Sequence, residues 1–143
     1  VSLPINIVDS ATGYTATIDV GGGISVNPPQ FSESYNATLD VDDTPVEIVP
    51  PLGDNIFCIT GIILVGNKNI STTVDAVVDI YEALATDTST AVNTILSIPV
   101  ARSGQLVLPN MYLCSGEGVH IMGKTSDDDV FVTILGYYVK QHT

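Results

Sequence analysis

The chain is expected to be all-β, a β-sandwich of jelly-roll type preceded by an extended N-terminal arm. Three observations predict this. Val, Ile and Thr dominate; turn formers, among them 12 Gly and 8 Pro with many Asp and Asn, cut the chain at regular intervals; and short apolar stretches lie between the cuts. Branching at Cβ suits a pleated strand better than a helix. Gly, Pro, Asn and Asp supply the dihedrals and local hydrogen bonds that close turns. Many short strands at even spacing are the pattern of a sandwich or barrel.

Residues 1 to 33 form the first part. Ile5–Val8, Thr15–Val20 and Ile24–Val26 are β-prone, and they are punctuated by Thr12-Gly13, Gly21-Gly22-Gly23 and Pro28-Pro29. The triple Gly is conformationally loose and the Pro pair stiff. With few large apolar residues this part cannot bury a core of its own. It is expected to be an arm laid on a neighbouring subunit, with an edge hairpin of the main domain as the alternative.

Residues 34 to 143 form the body. Strands are expected at Tyr35–Leu39, Val46–Val49, Ile56–Val65, Val77–Glu82, Ile95–Val100, Gln105–Leu108, Gly118–Lys124 and Val130–Val139. Eight strands suit a two-sheet jelly roll. Between Asp79 and Leu96, Ala and Glu also permit a short helix. Ala76, Val78 and Ile80 interleave with Asp75, Asp79 and Tyr81, the alternation of a half-buried strand. Two strands break that rule. In Ile56–Val65 the set Ile56, Cys58, Thr60, Ile62 and Leu64 opposes Phe57, Ile59, Gly61, Ile63 and Val65; in Val130–Val139 both sets are again apolar. The second face must be covered. Phe57, Ile59, Ile63, Phe131, Leu135 and Tyr137 are therefore the expected oligomer interface, in a homo-oligomer predicted to be a trimer.

At 143 residues the chain has the size of one domain and needs neither metal nor disulfide scaffold to fold. No apolar run approaches the roughly 18 residues of a membrane helix, and the start, VSLPINIVDS, has no basic n-region or long apolar h-region. Neither membrane nor secretory leader is expected. Sixteen acids face four scattered bases, Lys68, Arg102, Lys124 and Lys140, for a formal charge of -12. Phosphate backbones need clustered Lys and Arg, so nucleic acid is excluded as a partner. Cys58 and Cys114 lie among apolar residues and are expected to be buried free thiols, with one bridge between neighbouring strands as the alternative.

No catalytic constellation is legible, and no enzyme activity or organic cofactor is expected. His120 and His142 have no catalytic company in sequence, and HExxH, GxSxG and P-loop patterns are absent. The acidic clusters Asp40-Val-Asp42-Asp43 and Asp127-Asp128-Asp129 are the candidate metal ligands, because calcium takes six to eight hard oxygens. Solvated turns are the alternative, as Asp readily caps backbone N–H groups there. Asn36-Ala-Thr38 and Asn69-Ile-Ser71 match the glycosylation sequon by chance. Tyr137-Tyr138 with Tyr112 would offer sugar-stacking faces, against core and interface roles.

The opening PINIVDSATGYTATIDVGGGISVN resembles the start of tailed-bacteriophage virion proteins. The close, SDDDVFVTILGYYV, resembles the last strand of small phage head-decoration and fibre-like β-domains, and DVDDTPVEIVPPLGDNIFCITGI between them fits the same style. The resemblance implies a non-enzymatic capsid decoration (cement) protein on the virion surface. It would bind the major capsid protein, or another virion protein, through oligomeric bodies and N-terminal arms. A tail-fibre or receptor-binding tip and a carbohydrate-binding module are the alternatives.

Overall fold

The computed structural model describes residues 5–8, 15–18, 24–27, 33–40, 43–88 and 90–140. Gly21–Gly23, Pro28-Pro29, Asp42 and His142 lie outside the described residues. The strands are β1 (Ile5–Val8), β2 (Thr15–Ile18), β3 (Ile24–Asn27), β4 (Glu33–Leu39), β5 (Val46–Val49), β6 (Ile56–Gly66), β7 (Ala76–Ala83), β8 (Asn93–Val100), β9 (Gln105–Leu108), β10 (Leu113–Cys114), β11 (His120–Thr125) and β12 (Val130–Val139). No helix forms between Asp79 and Leu96; β7 runs to Ala83, turns follow, and β8 begins at Asn93.

Two antiparallel sheets make the body. One has the order β4-β12-β6, with β9 and β10 sharing the far side of β6; the other has the order β5-β11-β7-β8. Apart from β7–β8 and β9–β10, which stay in one sheet, successive body strands pass back and forth between the sheets, and the last two insert beside β5 and β4. That is the double Greek-key connectivity of a jelly roll. β1, β2 and β3 form a third sheet, an antiparallel meander that pairs with neither of the others among the described residues.

The core lies between the two body sheets. Leu39, Ile62, Leu64, Val132 and Ile134 from the first meet Ile48, Val78, Ile80 and Ile121 from the second. The alternation expected for β7 is present: Ala76, Val78 and Ile80 are buried, while Val77 is 42% exposed. A second, smaller cluster of Tyr81, Ala83 and Met122 lies on the other side of the second sheet. The segment after β7 closes over it, since the Tyr81 hydroxyl donates to the Thr88 carbonyl at 3.1 Å.

The doubly apolar pattern of β6 has an explanation that strict alternation missed. Leu135 of β12 pairs with Gly61, but Gly136 pairs with Ile59, so Thr60 is an extra residue, a β-bulge. A bulge reverses the parity of everything beyond it. Ile62 and Leu64 face the core on one side of Thr60, and Phe57 and Ile59 face it on the other. Phe57 and Ile59, expected at an oligomer interface, are therefore core residues at 3% and 1% exposure. The same device on β5, where the register jumps past Ile48, lets Ile48 and Val49 both be buried.

The bulge region is tightly packed. A Cβ at Gly136 would stand 2.3 Å from the Cys58 carbonyl oxygen and 2.6 Å from the Phe57 ring. Phe57 also packs edge-on against Tyr35 and Tyr138, at centroid separations of 5.6 and 5.0 Å. This aromatic trio closes one end of the sandwich, where Tyr138 donates its hydroxyl hydrogen to the Pro50 carbonyl and Tyr35 donates to Glu33. Such edge-to-face contacts add to plain area burial.

Candidate interaction surface

With the parity of each strand settled, the back of the first sheet can be assembled. β12 presents Phe131, Thr133, Leu135 and Tyr137 there, because its even-numbered Val130, Val132 and Ile134 are in the core. Register places Val65 beside Phe131, Ile63 beside Thr133 and Gly61 beside Leu135 on β6. On the flank of β12, β4 contributes Thr38, Asn36 and Ser34; beyond β6, β9 contributes Val107 next to Ile63 and Gln105 next to Val65. No charged residue is among these positions, although the chain carries sixteen acids.

This surface is apolar and open at its middle. Phe131 is 44% exposed, Val107 50% and Val65 36%, with Ile63 and Leu135 partly buried. A shallow depression of about 390 Å³ lies over β4 and β12, between Asn36, Thr38, Phe131 and Thr133. Of the six residues expected at an interface, Ile63, Phe131 and Leu135 are on this surface. Tyr137 shares their side of the strand but is buried, at 7% exposure.

The cysteines are not free thiols. Cys58 on β6 and Cys114 on β10 are direct cross-strand partners, with Cα atoms 4.0 Å apart, and they form a disulfide. Directly opposed antiparallel residues that do not exchange hydrogen bonds approach to about 4.5 Å, within reach of two thiols. β10 is only two residues long, so nothing periodic in the sequence announced it. The segment around it is held further by Met111 N–H to the Thr60 carbonyl, at 2.9 Å, and Ser115 N–H to the Phe57 carbonyl, at 2.8 Å.

The acidic clusters come together at one end of the sandwich. Leu39 pairs with Val130, and the Asp43 N–H donates to the Thr125 carbonyl at 2.7 Å, so Asp40 and Asp43 lie beside the 126–129 turn. The carboxylates of Asp127 and Asp129 are engaged locally. Asp129 Oδ2 accepts from the side-chain amides of Asn67 (3.2 Å) and Asn69 (3.3 Å), and Asp127 Oδ2 accepts from the Ser71 N–H (3.2 Å). Asp43 and Asp129 have φ of 51° and 21°, the left-handed side that Asp tolerates better than most residues. Among the described residues no three His, Cys, Asp or Glu side chains are grouped to hold a metal ion.

Around the Tyr81, Ala83 and Met122 cluster, the back of the second sheet carries polar contacts. His120, on the opposite side of β11 from Ile121 as alternation requires, contacts Glu47 of β5 through Nδ1. Asp79 Oδ1 accepts from the Ser97 hydroxyl at 2.6 Å, and Lys124 pairs with Asp79 across the strands. A cleft of about 120 Å³ opens between the sheets near β10, between Ile59, Glu82, Thr94 and Leu113; the Glu82 carboxylate there accepts from the Gly116 N–H at 3.0 Å. The three tyrosines considered for sugar stacking do not share a surface: Tyr137 is buried, Tyr138 belongs to the aromatic trio, and Tyr112 stands apart at 68% exposure.

No protein-family model and no curated protein matches the chain. Among solved structures it is similar to a carbohydrate-binding module (CBM6cm-2) from Cellvibrio mixtus lichenase 5A, in complex with cellotriose. The likeness has a TM-score of 0.30 at 16% identity and covers 99% of this chain and 92% of that chain. A superposition this loose carries no argument about ligand or activity.

Proposed function

We propose that this protein is a non-enzymatic structural module that assembles with further copies of itself, as a decoration protein on the capsid of a tailed phage. The observation that carries the assembly reading is the charge-free, apolar back of the β4-β12-β6-β9 sheet. A chain with a formal charge of -12 repels its own copies wherever acids face one another. The back of this sheet is where copies meet without that repulsion, and burying apolar surface there favours contact by about 25 cal/mol per Å². The Cys58–Cys114 bridge supports a place outside a reducing cytosol, for which a virion surface is one setting. The capsid itself comes from the sequence resemblance.

Sedimentation of the full chain at micromolar concentration tests assembly: a homo-oligomer is expected, and a stable, soluble monomer would remove the reading. Incubating the purified protein with capsids that lack it tests the setting. Saturable binding is expected, and its absence would leave an assembling module without a capsid role.

A further inference from the structure

Along β7 the side chains of Ala76, Val78 and Ile80 are buried on the core face, and the next position on that face is Glu82. Register agrees, since Glu82 pairs directly with the core residue Ile121. A carboxylate therefore stands where the strand's own pattern calls for an apolar side chain, and it is only 6% exposed. Burying a carboxylate is costly unless charge and hydrogen bonds compensate it. Here the compensation within the chain is one N–H, from Gly116 to Oε1 at 3.0 Å.

No cation of the chain completes it. All four Lys and Arg, at 68, 102, 124 and 140, are among the described residues, and none forms an ion pair with Glu82. Lys124 lies on the other side of the sheet, with Asp79 and Tyr81. Residues 1–32 contain no Lys or Arg, so their path does not alter this count. Among the described residues no buried side-chain oxygen is left without a partner. The second oxygen of Glu82 consequently opens on the cleft of about 120 Å³ that the residue lines.

The walls of that cleft narrow the chemistry. Ile59, Ile95 and Leu113 are aliphatic, Asn93 and Thr94 add polar atoms, and no described residue around it is aromatic. Without an aromatic platform a sugar ring has nothing to stack on. One carboxylate is too few for a hard metal ion, which takes six or more oxygens. A liquid water occupies about 30 Å³, so the space suits about four non-hydrogen atoms. We propose that this cleft binds a primary alkylammonium group, with the nitrogen on the Glu82 carboxylate and the methylenes against Ile59, Ile95 and Leu113. The Asn93 carbonyl and the Thr94 hydroxyl supply acceptors for the remaining N–H hydrogens. A free short amine and the end of a lysine side chain share this chemistry. The site is separate from the assembly surface and does not depend on it.

Titration of the full chain with n-propylammonium, followed by the backbone amide resonances, tests the proposal. The Gly116 amide is the reporter, because it donates to the carboxylate that would receive the ligand. A saturable shift at Gly116 is expected, with propan-1-ol, the neutral analogue, weaker by about 10-fold or more. Glu82→Gln keeps an oxygen for the Gly116 N–H and should melt as the wild type does, while its affinity for propylammonium falls by about 10-fold or more. No saturable shift at Gly116, equal binding of propanol, or unchanged binding by folded Glu82→Gln each overturns the proposal. So does a shift at Gly116 no larger than those of the 127–129 turn, which would mark attraction by net charge alone. If Glu82→Gln does not fold, the propanol comparison in the wild type decides. Competition by Nα-acetyl-lysine N-methylamide would assign the site to a lysine side chain; binding of propylammonium alone would assign it to a free amine, and the proposal stands in either case.

Discussion

Breaking the Cys58–Cys114 bridge should cost this protein several kcal/mol, almost all of it through the unfolded chain. The bridge joins residues 56 apart, from the middle of the first body sheet to a two-residue strand at its edge. In the chain-entropy treatment a closed loop of that length removes about 14 cal/mol/K from the unfolded ensemble, or about 4 kcal/mol at room temperature. The folded side loses little, because the β10 segment keeps its hydrogen bonds to the Thr60 and Phe57 carbonyls and the Gly116 N–H keeps Glu82. Cys114 is exposed and Cys58 buried, so Cys114→Ser removes the bridge without placing a hydroxyl in a tight site. With a urea m-value of about 2 kcal/mol/M, the midpoint should fall by about 2 M, and m should rise as the unfolded chain expands. Urea unfolding of wild type with and without reductant, beside Cys114→Ser, makes the measurement. Identical midpoints in all three, or two titratable thiols in the unreduced unfolded protein, would refute the reasoning.

Gly136→Ala should destabilise the fold by about 3 kcal/mol or more, because the new methyl meets a backbone carbonyl and an aromatic ring that cannot both retreat; thermal unfolding measures it, and a loss below about 1 kcal/mol would show that the bulge adjusts freely. Burial first, and then the bond to Glu33, raise the Tyr35 hydroxyl well above the ordinary phenol value, and burial likewise raises Tyr138 and Tyr81. A group whose folded pKa is raised contributes stability that is whole below the unfolded value near 10 and is lost as pH rises toward the folded value. Stability should therefore fall above about pH 10, with the phenolate absorbance of these tyrosines appearing together with unfolding; a smooth rise in absorbance before any loss of structure would contradict this.

What the residues determined by themselves was the class of fold and most of its elements. Branched side chains and regularly placed turn formers favour strands whatever the partners are, and the alternation of Ala76, Val78 and Ile80 needs only the two-residue period of a strand. The three short pieces of the N-terminal meander and the eight body strands expected all have counterparts in the structure. Long-range pairing decided the rest. Whether Phe57 and Ile59 face outward or inward depends on one extra residue, Thr60, and that residue is extra only with respect to the register of β12. Local periodicity cannot register a bulge, so two core residues were expected on the outside. The disulfide has the same origin: β10 has too few residues to show a period, and only its placement beside Cys58 makes Cys114 a partner. The charge-free back of the sheet was partly legible, as apolar residues on both sides of two strands. Which of them form one surface was set when β4, β12, β6 and β9 came side by side, because side chains from four distant segments share a face only once their strands are paired.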